Sequence, residues 1–147
     1  MAHSLITIIF LLFITPLDLS IAKHCVLSLK HRVHVINKLP SYSPKLQIHC
    51  ASKDNDLGCH NLTVNQDFNW SFCESFLDKI LFFCHFWWGL KEKKIVVFND
   101  PYSCVIGSRN QYVLTNCKWV VRSDGFYLEQ YNNVNNTYYM YHYSKWS

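Results

Sequence analysis

From Arg32 onward the chain runs in short segments of five to eight residues, rich in β-branched and aromatic side chains, that alternate in polarity or are wholly apolar. No stretch carries apolar residues at helical spacing over a useful length, so the pattern is that of strands. It predicts strands at Arg32–Asn37, Lys45–Cys50, Leu57–Val64, Asp67–Cys73, Ile80–Trp87, Lys94–Phe98, Lys118–Arg122 and Gly125–Tyr131. Turn chemistry separates them at Leu39-Pro40 through Pro44, Ser52–Asp56, Asn65-Gln66, Gly89, Asn99-Asp100-Pro101 and Ser123-Asp124-Gly125. About eight short strands predict an all-β, single-domain antiparallel β-sandwich, each sheet burying one face against the other. Asp124-Gly125 between two apolar runs suits a turn that needs positive φ, so the last two of these strands are expected to form a hairpin.

The third and fourth strands allow a finer expectation. A three-residue connection at Asn65–Asp67 would set Val64 opposite Phe68, Leu62 opposite Trp70 and His60 opposite Phe72, which puts Leu62, Val64, Phe68, Trp70 and Phe72 on one buried face. The same register sends the N-glycosylation sequons at Asn61 and Asn69 outward and brings Cys59 beside Cys73 as a cross-strand bridge. A third sequon, at Asn135, lies in a polar segment rich in Asn and Tyr, residues 132–147, whose pattern defines no further strand.

The first residues change the picture of where the domain starts. Leu5–Leu17 is largely apolar, Pro16 and Asp18 cut it short of a membrane span, and Ser20-Ile21-Ala22 supplies small residues for cleavage. Residues 1–22 therefore read as a secretory signal peptide, residues 23–131 as the sandwich domain and 132–147 as a tail. Removing a segment with one acidic and no basic residue raises the formal charge from +4 to +5. Lys and Arg are scattered apart from Lys91, Lys93 and Lys94, which read as a solvated hairpin end; no basic stripe or reader module for nucleic acid is present.

All seven cysteines follow the expected cleavage point, and a secreted chain keeps such thiols oxidised. His49-Cys50, Cys59-His60 and Cys84-His85 invite a zinc reading, but adjacent residues of a strand point to opposite faces and no ligand pair has zinc spacing, so no metal is expected. Seven is odd, and Cys25 is the residue that could pair with another molecule. The acidic turn Lys53-Asp54-Asn55-Asp56 reads as a structural turn before a cation loop. Eight histidines form no recognisable catalytic motif, and no nucleophile elbow or phosphate loop is present; neither an enzyme nor a cofactor is expected.

Several stretches, taken in order, resemble the plant self-incompatibility protein homologue family. They are Val33-His34-Val35-Ile36-Asn37, Leu46-Gln47-Ile48-His49-Cys50 running into Ser52–Gly58, Phe68-Asn69-Trp70-Ser71-Phe72, Leu81-Phe82-Phe83-Cys84 with Phe86 and Trp88, Cys104, Cys117-Lys118-Trp119, and Asp124-Gly125-Phe126-Tyr127. The founding members of that family are stigma-secreted recognition ligands. The resemblance implies a secreted β-sandwich with two disulfides among Cys50, Cys84, Cys104 and Cys117. Of the three possible pairings, Cys50–Cys117 with Cys84–Cys104 is the expectation. Cys25, Cys59, Cys73, the stretch Ser108–Asn116 and the aromatic tail depart from the family pattern.

The function expected from this resemblance is an extracellular ligand that presents loops to a cell-surface receptor or another extracellular protein. Asp100, Tyr102, Arg109 and Gln111 in the long loop before the seventh predicted strand are the candidate contacts, with Asp54 and Asp56 as a second patch. The alternative is a cationic extracellular defence protein acting on microbial membranes, which the charge permits but no basic amphipathic helix supports.

Overall fold

The computed structural model describes residues 25–26, 28–106 and 115–147. The strands are β1 (Lys30–Asn37), β2 (Leu46–Ala51), β3 (Asp56–Leu62), β4 (Asp67–Cys73), β5 (Phe82–Trp88), β6 (Lys91–Phe98), β7 (Val105–Ile106), β8 (Thr115–Arg122), β9 (Gly125–Asn132) and β10 (Thr137–Ser144). They form two sheets, the smaller in the order β3-β2-β5-β6 and the larger in the order β10-β9-β8-β1-β4, with β7 also on β8. The protein is an all-β sandwich. Among the described residues one pair departs from an antiparallel arrangement: β1 and β8 run parallel, from His31 opposite Thr115 to Asn37 opposite Val121. Parallel neighbours need a long crossover, and the chain from β2 to β7 supplies it.

Alternation along each strand builds the core. β1 buries His31, Val33, Val35 and Asn37, β8 buries Thr115, Cys117, Trp119 and Val121, and β5 opposes them with Phe82, Cys84 and Phe86. Each fully buried large side chain, such as Phe86 or Phe126, contributes about 1.5–3 kcal/mol. Two polar contacts cross between the sheets. Trp119 Nε1 donates to the Val97 carbonyl at 2.9 Å, and Asn37 Nδ2 donates to the Leu62 carbonyl at 3.0 Å.

The expected hairpin of β3 with β4 is not formed. β3 pairs with β2, Leu46 opposite Leu62, whereas β4 pairs with β1, Val33 opposite Trp70. Residues 63–66 carry the chain from one sheet to the other, with Asn65 at φ +67° and its N–H bonded to the Asn37 carbonyl at 2.7 Å. Leu62 is buried and Phe68, Trp70 and Phe72 pack on the core, but Leu62 faces them from the other sheet instead of lying beside Trp70 in the same one. The His60 ring lies 4.4 Å from Phe68, and Trp70 and Phe72 lie 5.4 and 4.8 Å from Phe82. Val64 is exposed. Asn61 and Asn69 are exposed as expected, on two different sheets.

The disulfides follow the sheets, and they correct the expected pairings. Cys59 does not meet Cys73; Cys73 is bonded to Cys25, and Cys59 is an exposed free thiol on β3. Cys50 and Cys84 are direct cross-strand neighbours of β2 and β5, 4.1 Å apart at Cα, and bond to each other, not to Cys117 and Cys104. Cys104 and Cys117 form the third bridge and hold the start of β7 against β8. Lys91, Lys93 and Lys94 lie within β6, not in the turn, which is made by Gly89-Leu90 with Gly89 at φ +57°.

The Asn- and Tyr-rich segment continues the larger sheet. Thr137–Ser144 forms β10 and pairs antiparallel with β9. Beyond it, Trp146 packs on Phe126 and Trp88 and donates Nε1 to the Arg122 carbonyl at 2.9 Å. The expected hairpin of β8 and β9 is present, with Arg122 opposite Gly125. Gly125 has φ +141°, and a Cβ there would overlap the Ser144 carbonyl oxygen at the end of β10. The expected signal peptide, residues 1–22, lies outside the described residues.

Candidate functional site

Three connections meet at one end of the sandwich: residues 52–55 after β2, residues 74–81 after β4 and residues 99–104 after β6. Each is shaped by a short polar side chain bonded to nearby backbone. Asn55 N–H donates to Ser52 Oγ at 3.1 Å and Ser52 N–H to the Asn55 carbonyl at 2.7 Å, closing the first turn. Ser75 Oγ accepts the N–H groups of Leu77 and Asp78 at 3.3 and 3.2 Å. Asp100 Oδ1 accepts the Tyr102 N–H at 2.9 Å and caps the 3-10 turn Pro101–Ser103.

The second of these bends turns two apolar side chains into solvent. Phe76 is 77% and Leu77 93% exposed, and Tyr102 on the neighbouring connection is 84% exposed. Between them lies a cavity of 430 Å³, and an adjoining one of 290 Å³ runs toward Asp54. Both are bordered by Ser75, Asp78, Lys79 and Ile80. The larger cavity has Glu74, Asp78 and Asp100 on its walls against a single Lys79, an acidic mouth on a chain whose net charge is positive.

His31 forms part of the inner wall of that cavity. It is buried between Phe72 and Phe98, with ring centroids 5.5 and 5.0 Å away. Its Nδ1 meets no hydrogen-bond partner among the described residues. Burial pushes the imidazole pKa down, and the nearby Glu74 carboxylate opposes that shift.

The residues singled out from the sequence divide between this end and its surroundings. Asp54, Asp100 and Tyr102 border the two cavities. Asp56 does not: its carboxylate accepts the Gly58 N–H at 2.9 Å and pairs with His49 Nε2 at 2.6 Å, bracing β2 against β3. Those two bonds, the Gly58 one first, hold its carboxyl below the usual aspartate range. Arg109 and Gln111 lie outside the described residues; the flanking Ile106 and Thr115 are paired across β7 and β8 at this same end. Sequence reasoning missed the 74–81 connection and His31. The signal was there in Ser75-Phe76-Leu77-Asp78, an apolar pair between two turn-forming residues with no strand alternation around it.

The arrangement can bind. An acidic, partly aromatic concavity suits a basic or aromatic side chain of a partner, with exposed Phe76, Leu77 and Tyr102 as apolar contacts around it. Among the described residues no group of three or more His, Cys, Asp or Glu side chains converges as a metal site would. Among them, too, no helix is long and apolar enough to cross a membrane.

A family model described as plant self-incompatibility protein S1 matches residues 32–146. Similar proteins include three from Arabidopsis thaliana. S-protein homolog 5 is 32% identical over 82 residues, covering 56% of this chain and 59% of that protein. S-protein homolog 74 is 37% identical over 83 residues, covering 56% and 52%, and S-protein homolog 1 is 34% identical over 97 residues, covering 66% and 61%. The chain thus spans little more than half the length of the curated relatives it matches.

Proposed function

The chain belongs to the plant self-incompatibility protein S1 family, and from that premise we propose that it is a secreted plant recognition or signalling protein. In this reading it is a ligand that engages a cell-surface receptor or another extracellular protein by the loop end of its sandwich, without catalysis. The observation that carries the proposal is the convergence of three connections, two of them chosen from sequence alone, around one acidic concavity with Phe76, Leu77 and Tyr102 exposed at its rim. Large apolar side chains held outward by a bonded turn are the features that binding would bury. Three disulfides support an oxidising compartment. Exposed Asn61, Asn69 and Asn135 are the proposed glycan acceptors.

The test is capture of the secreted, oxidised protein on membranes from tissues of its own plant. Saturable binding is expected, weakened at least about tenfold by Phe76→Ala with Tyr102→Ala, a loss in the range of interface hot spots. Binding that does not saturate, binding unchanged by those substitutions, or leakage of anionic liposomes without any receptor would overturn the reading.

A further inference from the structure

Among the described residues four of the longer strands have an outer edge, β4 and β10 in the larger sheet and β3 and β6 in the smaller; the two-residue β7 pairs with β8 alone. An edge strand exposes unpaired N–H and C=O groups and is a template for another strand, so folded chains guard it with charge, bulges or covering segments. Three of the four are guarded here. β4 carries Asp67 and the sequon residue Asn69, and is tied at its end by Cys73–Cys25. β3 carries the sequon residue Asn61, has Gly58 at φ +76° and pairs irregularly with β2 between His49 and Ala51. β6 carries Lys91, Glu92, Lys93 and Lys94, and the Glu92 carbonyl already accepts the Ser147 N–H at 3.2 Å.

β10 has no charged side chain to guard it. Its eight residues, Thr-Tyr-Tyr-Met-Tyr-His-Tyr-Ser, include no Lys, Arg, Asp, Glu, Pro or Gly. Among the described residues it pairs with β9 alone, in regular register from Thr137 to His142, and its one irregularity falls at the far end. Tyr138, Tyr139, Tyr141 and Tyr143 are each about half exposed or more, at 62, 49, 54 and 48%. The edge is held in place rather than frayed, because Trp146 just beyond it is packed against Phe126 and bonded to the Arg122 carbonyl.

We propose that β10 is a self-association edge, on which a second copy of this chain adds its own β10 antiparallel to continue the larger sheet across a two-fold axis. In such a contact the strand meets itself reversed, so charged residues of one sign near the axis would oppose each other across it. Of these four strands β10 alone is free of fixed charge. Pairing about Met140 sets Tyr139 opposite Tyr141 of the second copy and Tyr138 opposite His142, both favourable cross-strand pairs. β10 lies at the opposite border of its sheet from β4 with its sequon residue Asn69, and the sequon residue Asn135, in the turn before β10, falls outside the Tyr138–His142 stretch paired about Met140.

The experiment is sedimentation velocity on the full secreted, oxidised chain across the micromolar to millimolar range, with Tyr139→Lys/Tyr141→Lys as the test variant and Lys91→Ala as the control. A concentration-dependent dimer is expected in the wild type and the control. In the double-lysine variant its dissociation constant should rise at least about tenfold, since two like-charge pairs would then oppose each other. If that variant does not fold, hydrogen exchange of the wild type decides: β10 amides must gain protection as concentration rises. A chain that stays monomeric, a dimer that lysines leave intact, a dimer abolished by Cys59→Ser, or a monomer that instead binds a synthetic strand peptide of unrelated sequence on β10 would each overturn the proposal.

Discussion

Replacing Asn37 tests how the two sheets are joined. Asn37 is 2% exposed at the end of β1. Its Nδ2 donates to the Leu62 carbonyl at 3.0 Å and its Oδ1 accepts the Leu39 N–H at 2.9 Å, both buried bonds. Its backbone holds the crossover from β3 to β4 as well, accepting from Asn65 N–H at 2.7 Å and donating to Gln66 O at 3.1 Å. Asn37→Ala keeps the backbone bonds and strands one buried carbonyl and one buried N–H. Each unpaired group costs about 1–3 kcal/mol, so the variant should lose roughly 2–6 kcal/mol from a total stability on the order of 5–15 kcal/mol. Asn37→Asp should do no better, because a carboxylate cannot donate to Leu62 and would bury a charge. The assay is urea unfolding followed by tryptophan fluorescence with the disulfides intact. With a slope of roughly 2 kcal/mol per molar, a loss of about 3 kcal/mol lowers the midpoint by about 1.5 M at unchanged slope. Lys38→Ala removes an exposed bond to Asn65 Oδ1 at 2.8 Å and should change stability by no more than about 0.5 kcal/mol. If Asn37→Ala lost no more than this control, the two sheets would not be joined through Asn37. Asn37 lies at the opposite end of β1 from His31, so receptor binding measured well below the midpoint should be unaffected.

Gly125→Ala should destabilise the chain by about 1–3 kcal/mol, because it combines a strained positive φ with overlap on the Ser144 carbonyl, and hydrogen exchange should show the loss concentrated in β10; uniform exchange would refute that location. The pH dependence has a definite sign at His31. Its pKa is lowered by burial in the folded chain, so the unfolded chain binds the proton more readily and His31 contributes stability that is complete above the ordinary histidine value of about 6.5 and is lost as pH falls through the folded value. In equilibrium unfolding, His31→Phe should flatten the curve in that range, and an unchanged slope would assign it to another group. Peptide mapping without reduction should recover Cys25–Cys73, Cys50–Cys84 and Cys104–Cys117, with native alkylation confined to Cys59. Removing Cys50–Cys84, which closes a separation of 34 residues, should cost about 2–4 kcal/mol in urea unfolding; a Cys50–Cys117 peptide would refute the register of β2 on β5.

Much of the loop end was legible because turn chemistry is local. Asp100 and Asp54 stand out in sequence as turn-forming residues, and turns fall at the ends of strands, where three of them can gather. That Asp56 would be drawn away to His49 was not legible, since the two meet only through the pairing of β2 with β3. Phe76 and Leu77 were missed because an exposed apolar pair reads in sequence like the beginning of the next buried run. His31 was missed because its burial depends on Phe72 and Phe98, residues far away in the chain.

The sequence by itself determined the class of fold, the eight main strands, the inward faces of Leu62, Phe68, Trp70 and Phe72, and the exposure of both strand sequons. Period-two alternation decides which face of a strand is buried, whatever strand lies beside it. Only the tertiary structure decided the neighbours: β3 on β2, β4 on β1, β1 parallel to β8, and hence Cys50 with Cys84 and Cys73 with Cys25. Backbone hydrogen bonds form equally well with any extended partner, so the choice rests on packing between sheets and on the connection at residues 63–66, and neither is written in the pattern of a single strand. β10 shows the same division, since a run of tyrosines with no clear alternation becomes a strand once β9 offers it an edge and Trp146 holds it there.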